Sequence, residues 1–256
     1  MSIKNFEFFR RMNIHYLQHD PSRGPGVITA WAAARGCRVR PVLLYDGGTL
    51  PDPSSVAALV VLGGPMNAYD DSYPWLAEEK EFLRRCVKRK KKILGMGLGA
   101  QLIAEVLGAK IHPNQPKKIG WYIISWTSYA LTNPLFNFVP CHQITLHFNK
   151  DTFTLPPGAI RLASSRFCKN QAFVWHKHVV GIQFHLEMVH EDLEKLVASL
   201  REELKERGRN IQSAEHILSR PNYIKDNNYT MIRFLDRFFL QRFHAPAEVA
   251  DTVLNY

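Results

Sequence analysis

The sequence of 256 residues predicts an α/β fold in which a doubly wound, mostly parallel sheet is flanked by helices, with further helices at the C-terminal end. Short apolar runs such as residues 57–62 and 93–96 are hydrophobic on both faces, which is typical of parallel strands covered by helices. Segments with apolar residues at helical spacing, such as the one from Pro74, alternate with these runs. This alternation of two patterns predicts the fold class.

Glycine and proline mark the ends of the predicted elements in the N-terminal half. A Gly-Pro-Gly break at 24–26 separates the first strand from the first helix, and the run 57–62 leads straight into the turn 63–65. The basic run Lys88–Lys92 suits the negative end of a helix dipole. We predict strands at 13–17, 39–45, 57–62 and 93–96, and helices at 27–35, from Pro74 to the basic run, and at 100–107.

The C-terminal half begins with β patterns and ends with helical ones. Apolar and β-branched segments predict strands at 119–126, 143–148, 160–164, 172–175 and 179–184. Apolar residues at helical spacing then predict helices at 191–207, 213–218 and 229–243. No repeat or linker interrupts the pattern, so we expect one domain over residues 1–243 and a C-terminal tail over 244–256.

Composition and charge exclude several classes of protein. With 46% hydrophobic and 22% charged residues, the chain is neither disordered nor of low complexity. It contains no run of about 18 apolar residues and its first residues lack a signal-peptide pattern, so we expect a cytoplasmic protein without a membrane anchor. Four cysteines without CxxC spacing argue against a disulfide framework and a structural zinc site, and predict reduced thiols.

The segment Gly95–Gly99 predicts a tight strand-to-helix elbow. Small residues on both sides of such a turn lift its middle side chain out of the sheet, next to the free amides of the helix N-terminus. The middle residue here is Gly97, which tolerates the required positive φ but carries no side chain. The sequence thus predicts the geometry of a nucleophile elbow without a nucleophile.

Further segments show that the elbow does not stand alone, because they follow one another in a family-specific order. They are His15–His19, Gly63–Met66, Tyr73–Glu79, Gly99–Leu102, Ile119–Trp121, Asp151–Phe153, Leu155–Ala159, Asn170–Phe173 and Gly181–Met188. Over about residues 13–243 the chain resembles the class I (triad) glutamine amidotransferases, in particular stand-alone proteins similar to the amidotransferase domain of GMP synthase. The resemblance implies flavodoxin-like layers and no cofactor.

The resemblance also implies a role for each matching residue. In that family a Cys attacks the side-chain amide of glutamine, a His transfers protons and a Glu orients the His, giving glutamate and ammonia. The Cys position falls on Gly97, the His on His185 and the Glu on Glu187. The oxyanion-hole amides fall on Gly64 and Leu98, and the substrate-binding positions on Gly63, Gln101 and Asp151.

Further departures from the family pattern surround the missing thiol. The chain has Asn149-Lys150-Asp151 where the family commonly has His-Gly-Asp, Lys118 where an acidic residue is usual, and Leu186 where Pro follows the His. Because His185 has no thiol to deprotonate, we predict that the chain does not hydrolyse glutamine at a useful rate. It is then either a binding or regulatory pseudoenzyme that holds glutamine or a related small amide, or an altered copy of an active enzyme.

Other sources of chemistry are disfavoured. Cys86 and Cys168 lack the exposed, positively charged setting of a reactive thiol. Metal binding by His185, Glu187 and His190, or by His176 and His178, is disfavoured because the side chains point in different directions, so no metal site is expected. No GxxxxGK[ST] loop occurs, so a synthase or acceptor protein would be a separate polypeptide.

Two alternative uses of the surface stay open. The formal charge of +10 and the run Lys88–Lys92 would suit a basic interaction module that binds nucleic acid or an acidic protein, although a solvated helix cap is favoured. The aromatic stripe of Phe234, Phe238 and Phe239 would suit a homodimer surface, although core packing is favoured.

Overall fold

A computed structural model describes residues 12–206 and 210–241, which form a nine-stranded sheet covered by helices. The strands lie in the order β2-β1-β3-β4-β9-β8-β7-β5-β6 across the sheet. Their bounds are β1 Asn13–Gln18, β2 Arg38–Leu43, β3 Ala58–Val61, β4 Lys92–Met96, β5 Ile111–Trp126, β6 His142–Phe153, β7 Ala159–Ser165, β8 Cys168–Trp175 and β9 Val179–Ile182.

Seven α-helices and two short 3-10 helices connect and cover these strands within the described ranges. The α-helices are α1 Val27–Ala34, α2 Trp75–Lys88, α3 Leu98–Val106, α4 Ser128–Thr132, α5 His190–Ser199, α6 Ala214–Leu218 and α7 Pro221–Phe238. The 3-10 helices span Leu44–Asp46 and Glu203–Lys205. None of the described helices is both long and apolar enough to cross a membrane.

The sheet has a parallel part and an antiparallel part. Strands β2, β1, β3, β4 and β9 all run parallel to their neighbours, and β9, β8, β7, β5 and β6 pair antiparallel. Crossovers through α1 and α2 join β1 to β2 and β3 to β4, as in the doubly wound arrangement that the sequence predicts. The carboxyl ends of β3, β4 and β9 therefore meet at one edge of the sheet.

Two hydrophobic cores, one on each face of the sheet, explain the uninterrupted apolar runs. In β4, Leu94 belongs to the core beneath α1 and α7, whereas Ile93 belongs to the core beneath α2 and α3. Because successive side chains of a strand point to opposite faces, a strand buried on both sides must be apolar throughout. A third, smaller core packs α5 and α6 against the β5–β6 hairpin.

A buried ion pair ties the first helix to the last described one. Arg35, at the end of α1, donates Nε and Nη2 to the two carboxylate oxygens of Asp236 in α7 at 2.7 and 2.6 Å. Trp31 Nε1 donates to the same carboxylate at 3.0 Å. Both charged side chains are almost fully buried, so their pairing is what allows them to lie in the core.

The C-terminal helices differ from their predicted bounds. The helix predicted at 229–243 begins at Pro221, whose ring presets the first helical residue, and ends at Phe238. Its first turns were missed because Asn227 and Asn228 occupy buried positions and donate to backbone carbonyls in place of apolar contacts. Residue 243 lies outside the described ranges, as do residues 1–11 and the predicted tail 244–256.

The helix predicted at 191–207 is wrong beyond Ser199. The chain leaves the α-helix there and forms the short 3-10 helix at 203–205, whose Glu203 is held by Lys117 and Lys150 of the hairpin strands at 3.0 and 2.9 Å. Residue 207 is not among the described ones. The strand predicted at 39–45 also ends early, at Leu43, and α4 was not predicted at all.

The aromatic stripe of α7 is part of the core. Phe234, Phe238 and Phe239 are all buried, and Phe234 stacks on Phe136 with ring centroids 4.8 Å apart. Trp31 of α1 lies 6.1 Å from Phe239. Core packing therefore accounts for these residues, and the stripe presents no apolar surface to a second copy of the chain.

Candidate functional site

The elbow forms where the sequence predicts it, at the carboxyl end of β4. Gly97 adopts φ +53° and ψ −115°, a conformation that glycine accepts with little cost, and α3 begins at the next residue. Its amide donates to the carbonyl of Ile182 in β9 at 2.9 Å. Its carbonyl accepts from the amides of Ala100 and Gln101, the first bonds of α3. The turn is thus fixed by both the sheet and the helix.

The glycines on either side of Gly97 are required by packing. A Cβ on Gly99 would lie 2.1 Å from the carbonyl oxygen of Val61, and one on Gly95 would lie 2.6 Å from the carbonyl oxygen of Gly99. Neither distance is compatible with a side chain, so α3 can approach the sheet closely only because these positions are glycine. The sequence pattern of the elbow therefore has a direct steric cause.

His185 and Glu187 form a buried pair just beyond β9. Nδ1 of His185 lies 2.6 Å from Oε1 of Glu187, and the other carboxylate oxygen accepts from the amide of Leu186 at 3.0 Å. The exposed fractions of the two residues are 4% and 1%. Because the carboxylate accepts at Nδ1, the imidazole directs Nε2 into the cleft, as a general base requires.

Two helices hold the segment that carries this pair. Nδ2 of Asn228 in α7 donates to the carbonyls of Leu186 and Met188, on both sides of Glu187, at 3.0 and 2.8 Å. The amide of Val27, the first residue of α1, donates to the carbonyl of Glu187 at 2.8 Å. These bonds fix the backbone from which the imidazole and its carboxylate project.

The imidazole lies directly against the elbow. A Cβ on Gly97 would lie 3.3 Å from both Nε2 and Cε1 of His185 and 3.6 Å from the Cα of Gly63. The structure therefore brings together His185 and Glu187, the residues predicted to act as base and orienting carboxylate, and position 97, where the predicted nucleophile is missing. Acyl transfer in the family that the sequence resembles uses a base, an orienting carboxylate and a nucleophile.

The two residues predicted to form the oxyanion hole are neighbours at the same point. A Cβ on Gly64 would lie 2.6 Å from Cδ2 of Leu98, so the Gly-Gly-Pro turn after β3 packs against the start of α3. Both residues line the cleft together with Gly63 and Gly97. Backbone amides need no particular side chain to stabilise a developing negative charge.

Gln101 and Asp151 are joined through a third residue that the sequence analysis did not single out as a site residue. Nε2 of Gln101 donates to the Asp151 carbonyl at 3.2 Å and to Oε1 of Gln183 at 3.3 Å. Nε2 of Gln183 donates to the same carbonyl at 3.1 Å. Burial raises the pKa of the Asp151 carboxyl, and a hydrogen bond from Tyr69 opposes that rise. Both Gln101 and Asp151 line the cleft.

The cleft that these residues share measures about 550 Å³, counting its open mouth. Several of its walls were not predicted. Phe148 packs edge-on against His185 with ring centroids 5.7 Å apart, and Arg23, Leu200 and Glu203 also line the cleft. Arg23 directly precedes the Gly-Pro-Gly break at 24–26, and that position is the one sequence signal that could have drawn attention to it.

The departures from the family pattern have different consequences. Lys150 lines the cleft and pairs with Glu203, but Lys118 does not reach it: its ammonium lies 4.6 Å from the ring of Tyr122 and 4.3 Å from that of Phe167. Burial lowers the pKa of Lys118. Leu186 is fully buried. The side chain of residue 149 lies outside the described part of the structure.

No cysteine is among the described residues that line the cleft. Cys86 is fully buried on the inner face of α2, and burial raises the pKa of its thiol to about 12. Cys168 is buried with its sulfur 3.2 Å from Oγ1 of Thr152, and burial raises the pKa of this thiol too. All four cysteines are free. No group of three metal-ligating side chains comes together among residues 12–206 and 210–241.

The basic run lies at the opposite end of β4 from the elbow. α2 ends at Lys88, Arg89 caps it, and Lys92 begins β4 and donates to the carbonyl of Phe238 at 2.6 Å. Lys88, Arg89 and Lys90 are exposed, and no carboxylate of the described residues lies within ion-pair distance of them. The run therefore caps a helix, as expected, and adds a cluster of unpaired charge.

Comparison with known proteins gives a consistent answer. The profile of the family described as glutamine amidotransferase class-I matches residues 32–201. The chain is 29% identical over 235 residues to the glutamine amidotransferase-like protein YfeJ of Salmonella typhimurium, covering 90% of this chain and 98% of that protein. It is 26% identical over 144 residues to the glutamine-hydrolyzing GMP synthase of Thermomicrobium roseum, covering 56% of this chain and 25% of the synthase.

Solved structures agree with the sequence relatives. A glutamine amidotransferase from Thermotoga maritima is similar with a TM-score of 0.81 and 26% identity, covering 89% of this chain and 98% of that one. A glutamine amido transferase from Methylobacillus flagellatus is similar with a TM-score of 0.83 and 26% identity, covering 92% of this chain and 97% of that one.

Proposed function

The chain belongs to the glutamine amidotransferase class-I family, and from this premise we propose that it binds glutamine or a closely related small amide without hydrolysing it. The observation that carries this proposal is the pairing of an intact elbow with an absent side chain at Gly97. Base, orienting carboxylate and oxyanion turn all surround the place where a thiol would attack.

The chemistry explains why binding and turnover separate at this site. In the family reaction, a thiolate adds to the amide carbon, the carbonyl oxygen becomes an oxyanion and the base returns a proton to the leaving ammonia. Without a thiol, His185 has nothing to deprotonate, so no acyl-enzyme forms. Loss of one member of a triad costs on the order of a millionfold in turnover. We expect the residues that line the cleft to bind an amide without this step.

Calorimetry with L-glutamine on the unmodified chain tests this proposal, together with an assay for ammonia under the same conditions. We expect saturable binding and no ammonia above a buffer control. Gln101→Leu removes a cleft amide and is expected to weaken binding, whereas Glu81→Gln on the exposed face of α2 serves as the matched control. Steady ammonia release would overturn the proposal, and so would an absence of binding to glutamine.

A role for a partner follows from the relatives. The named activity of the GMP synthase relative joins glutamine hydrolysis to synthesis in one protein, of which the matched part is 25%. We propose that any acceptor reaction connected with this chain resides on a separate synthase or acceptor protein. Its contact with this chain would be regulatory, because no ammonia is produced at Gly97.

A second candidate function, binding of a polyanion such as nucleic acid, is supported by the basic end of the molecule. The amide of Ile93, one residue beyond the basic run, donates to the carbonyl of His178 at 2.7 Å, so the β8–β9 turn lies beside that run. Burial and the neighbouring charges of His176 and Lys90 lower the pKa of His178. Trp175 lies 4.0 Å from His176, and His176 stacks on His178 with centroids 6.0 Å apart. Flat rings beside unpaired lysines are typical of surfaces that bind phosphate backbones and bases.

Retention on a heparin column at increasing salt tests this second candidate. Neutralising Lys88, Arg89 and Lys90 to Gln is expected to lower the salt concentration at elution. Neutralising Lys195, Lys205 and Lys225, three exposed lysines elsewhere, removes the same number of charges and should lower it less. Equal shifts for both variants would show that retention reflects net charge alone and would refute the candidate.

A further inference from the structure

A buried histidine–glutamate pair lies beside the Gly-Gly-Pro turn of the cleft. Nε2 of His19, the first residue after β1, lies 2.9 and 3.0 Å from the two carboxylate oxygens of Glu79 in α2. The exposed fraction of both side chains is 0%. Trp75, the first residue of α2, covers the imidazole with ring centroids 5.5 Å apart. The pair therefore joins the end of β1 to α2 out of contact with solvent.

Glu79 occupies a position in α2 where packing alone would favour an apolar residue. The other buried residues of this helix form one apolar stripe and are Leu76, Phe82, Leu83 and Cys86. A carboxylate in such a stripe loses its hydration, and a buried pair of this kind contributes little to stability compared with apolar side chains of similar volume. The pair thus calls for a role other than stability, such as fixing the position of a neighbouring segment.

His19 and Leu98 enclose Gly64 from two sides. A Cβ on Gly64 would lie 3.1 Å from the Cβ of His19 and 2.6 Å from Cδ2 of Leu98. Because no space for a side chain remains between these neighbours, the position of Gly64 follows the position of His19. The imidazole of His19 is in turn held by Glu79, so a side chain of α2 determines where the turn lies.

Arg23 holds the same turn from the far end of the segment that follows β1. Its Nη1 donates to the carbonyl of Gly64 at 2.5 Å, and its own amide donates to the carbonyl of Asp20 at 3.1 Å. Residues 19–23 therefore form an anchoring segment, which is bound to α2 at one end and to Gly64 at the other.

The amide of Gly64 is left available by this arrangement. Its carbonyl accepts from Arg23, but within the described part of the chain neither its amide nor that of Leu98 donates to any acceptor. A backbone amide stabilises an oxyanion only when it points at the place where the charge develops, within about 2.7–3.1 Å of it. Small displacements of Gly64 therefore matter more to this site than to the stability of the fold.

We propose that His19 and Glu79 are positioning residues, which hold the Gly64 amide in the direction required of an oxyanion donor. Neither side chain is among the described residues that line the cleft, so the pair acts through the turn and not on the ligand. The use of this amide as an oxyanion donor rests on the proposed function. The dependence of its position on Glu79 rests on the contacts of His19 alone.

NMR of a chain labelled with 13C at the glycine carbonyl and 15N at the glycine nitrogen tests the position of this amide directly. A correlation through the 13C–15N bond arises only where one glycine follows another, which happens at residues 47–48 and 63–64. The spectrum thus reports the amides of Gly48 and Gly64 alone. Gly47→Ala, at a position with nothing within 4 Å of its Cβ, removes the first correlation and identifies the second.

Three substitutions of Glu79 separate its hydrogen bond from its bulk. Glu79→Leu removes both acceptor oxygens, and Glu79→Asp draws the carboxylate back by one methylene. We expect both to shift the Gly64 correlation and to leave that of Gly48 in place. Glu79→Gln keeps an acceptor oxygen and should leave the Gly64 correlation close to its unmodified position. Because all three retain the imidazole of His19, a shift does not arise from the loss of an aromatic ring near Gly64.

Asp236→Ala is the control for general destabilisation, because it breaks the buried pair with Arg35 far from the turn. It should lower the melting temperature without shifting the Gly64 correlation. A lower melting temperature of Glu79→Asp and Glu79→Leu with an unmoved Gly64 correlation would mark the pair as merely structural and overturn the proposal.

Turnover by the Gly97→Cys variant gives a second readout. In that background Glu79→Asp should lower kcat for L-glutamine by up to about a hundredfold and leave KM nearly unchanged, because an oxyanion donor acts on the transition state. Glu79→Gln should keep most of the rate. A shifted Gly64 correlation with an unchanged kcat would refute the donor role.

Addition of L-glutamine to the labelled unmodified chain separates this proposal from the proposed function. If L-glutamine moves the Gly64 correlation but the Glu79 variants do not, the positioning role is wrong and the proposed function stands. If L-glutamine binds without moving it, Gly64 is not the donor and the proposal is wrong. If the Glu79 variants move it but L-glutamine does not bind, the turn depends on the pair and the proposed function is wrong. If the variants leave it in place and L-glutamine does not bind, both are overturned.

Discussion

Nε2 of His185 lies 3.3 Å from the point that a Cβ on Gly97 would occupy. This distance is shorter than most side-chain contacts but not prohibitive, so a few tenths of an ångström of movement by the imidazole would admit a side chain. On its other side the ring is oriented by the bond between Nδ1 and Glu187 at 2.6 Å. The site is therefore aligned for a side chain that is not there.

Gly97→Cys is expected to confer glutaminase activity. The new thiol would project from the elbow beside His185, with Glu187 already in place. The rate of ammonia release should therefore rise above that of the unmodified chain, by as much as about a millionfold. The measurement is steady-state ammonia and glutamate formation from L-glutamine. Gly97→Ala should remain inactive, and Glu187→Gln in the Cys variant should reduce the rate. A folded Gly97→Cys protein without activity would show that another departure, such as Lys150, has closed the site.

Side chains at position 97 are expected to cost stability. A non-glycine residue at φ +53° carries about 1–3 kcal/mol of backbone strain, so Gly97→Ala should lower the free energy of unfolding in urea by that amount. Gly47→Ala is the comparison, since Gly47 lies in the left-handed region at φ +72° and ψ +19° with nothing within 4 Å of its Cβ position. The excess loss at Gly97 over Gly47 measures the contact with His185 together with the greater strain of a side chain at ψ −115°, and a smaller loss at Gly97 would contradict the crowding.

The pair of Arg35 and Asp236 is expected to be a major structural link. Asp236→Ala would leave a buried guanidinium unpaired and should lower the free energy of unfolding by about 3–5 kcal/mol. The exposed pair of Arg84 and Glu81 is the comparison, and Glu81→Ala should change stability by less than about 1 kcal/mol. Similar losses for the two variants in denaturant unfolding would count against this account.

Stability is expected to fall in mild acid because of His147. Burial, helped by the charges of Lys118 and His185, lowers the pKa of His147 to about 3, whereas an unfolded His titrates near 6.5. Between these values the unfolded chain binds a proton that the folded chain does not, so the free energy of unfolding should fall by up to about 1.4 kcal/mol per pH unit as pH decreases.

Urea unfolding between pH 7.5 and pH 4.5 measures this slope. In His147→Gln that part of the pH dependence should disappear, and in His112→Gln, which replaces an exposed His, it should persist. Equal slopes in the unmodified chain and His147→Gln would mean that other groups cause the acid sensitivity.

The four thiols are expected to differ sharply in reactivity. Cys141 is exposed, whereas Cys37, Cys86 and Cys168 are buried, so a thiol-specific disulfide reagent should react rapidly with one equivalent per native chain and with four after unfolding. Cys141→Ser should abolish the rapid phase. Fast modification of Cys86 or Cys168 in that variant would reopen the question of a substitute nucleophile.

The sequence was sufficient for the fold class because burial on both faces of β3 and β4 leaves an unmistakable apolar pattern. It was insufficient where tertiary bonds replace apolar contacts. The start of α7 was hidden because Asn227 and Asn228 are buried through hydrogen bonds, and the end of α5 because Glu203 is held by lysines distant in sequence. The groups that bind these side chains are distant in sequence, so the spacing of neighbouring residues does not reveal them.

The residues of the candidate site also fall into those that the sequence predicted and those that it did not. Gly97 could be placed from the local glycine pattern of the elbow, and His185 and Glu187 from the resemblance of the segment Gly181–Met188 to the family. The structure brings the three residues together. Arg23 lies in the loop after β1 and Phe148 lies in β6, and these segments meet at the cleft only in the folded chain. Residue spacing in the sequence therefore did not predict them as site residues. Lys118 shows the converse: a conspicuous departure in sequence turns out to lie against Tyr122 and Phe167, away from the cleft.

The close approach of Gly99 to the Val61 carbonyl limits which positions of the elbow can be substituted in descendants of this chain. Positions 95 and 99 are locked by atoms that cannot yield, while position 97 faces a ring that can. A lineage could therefore lose and regain a cysteine at position 97 without changes in the neighbouring residues, and a saturation library of positions 95, 97 and 99 should recover folded members with diversity at position 97 alone.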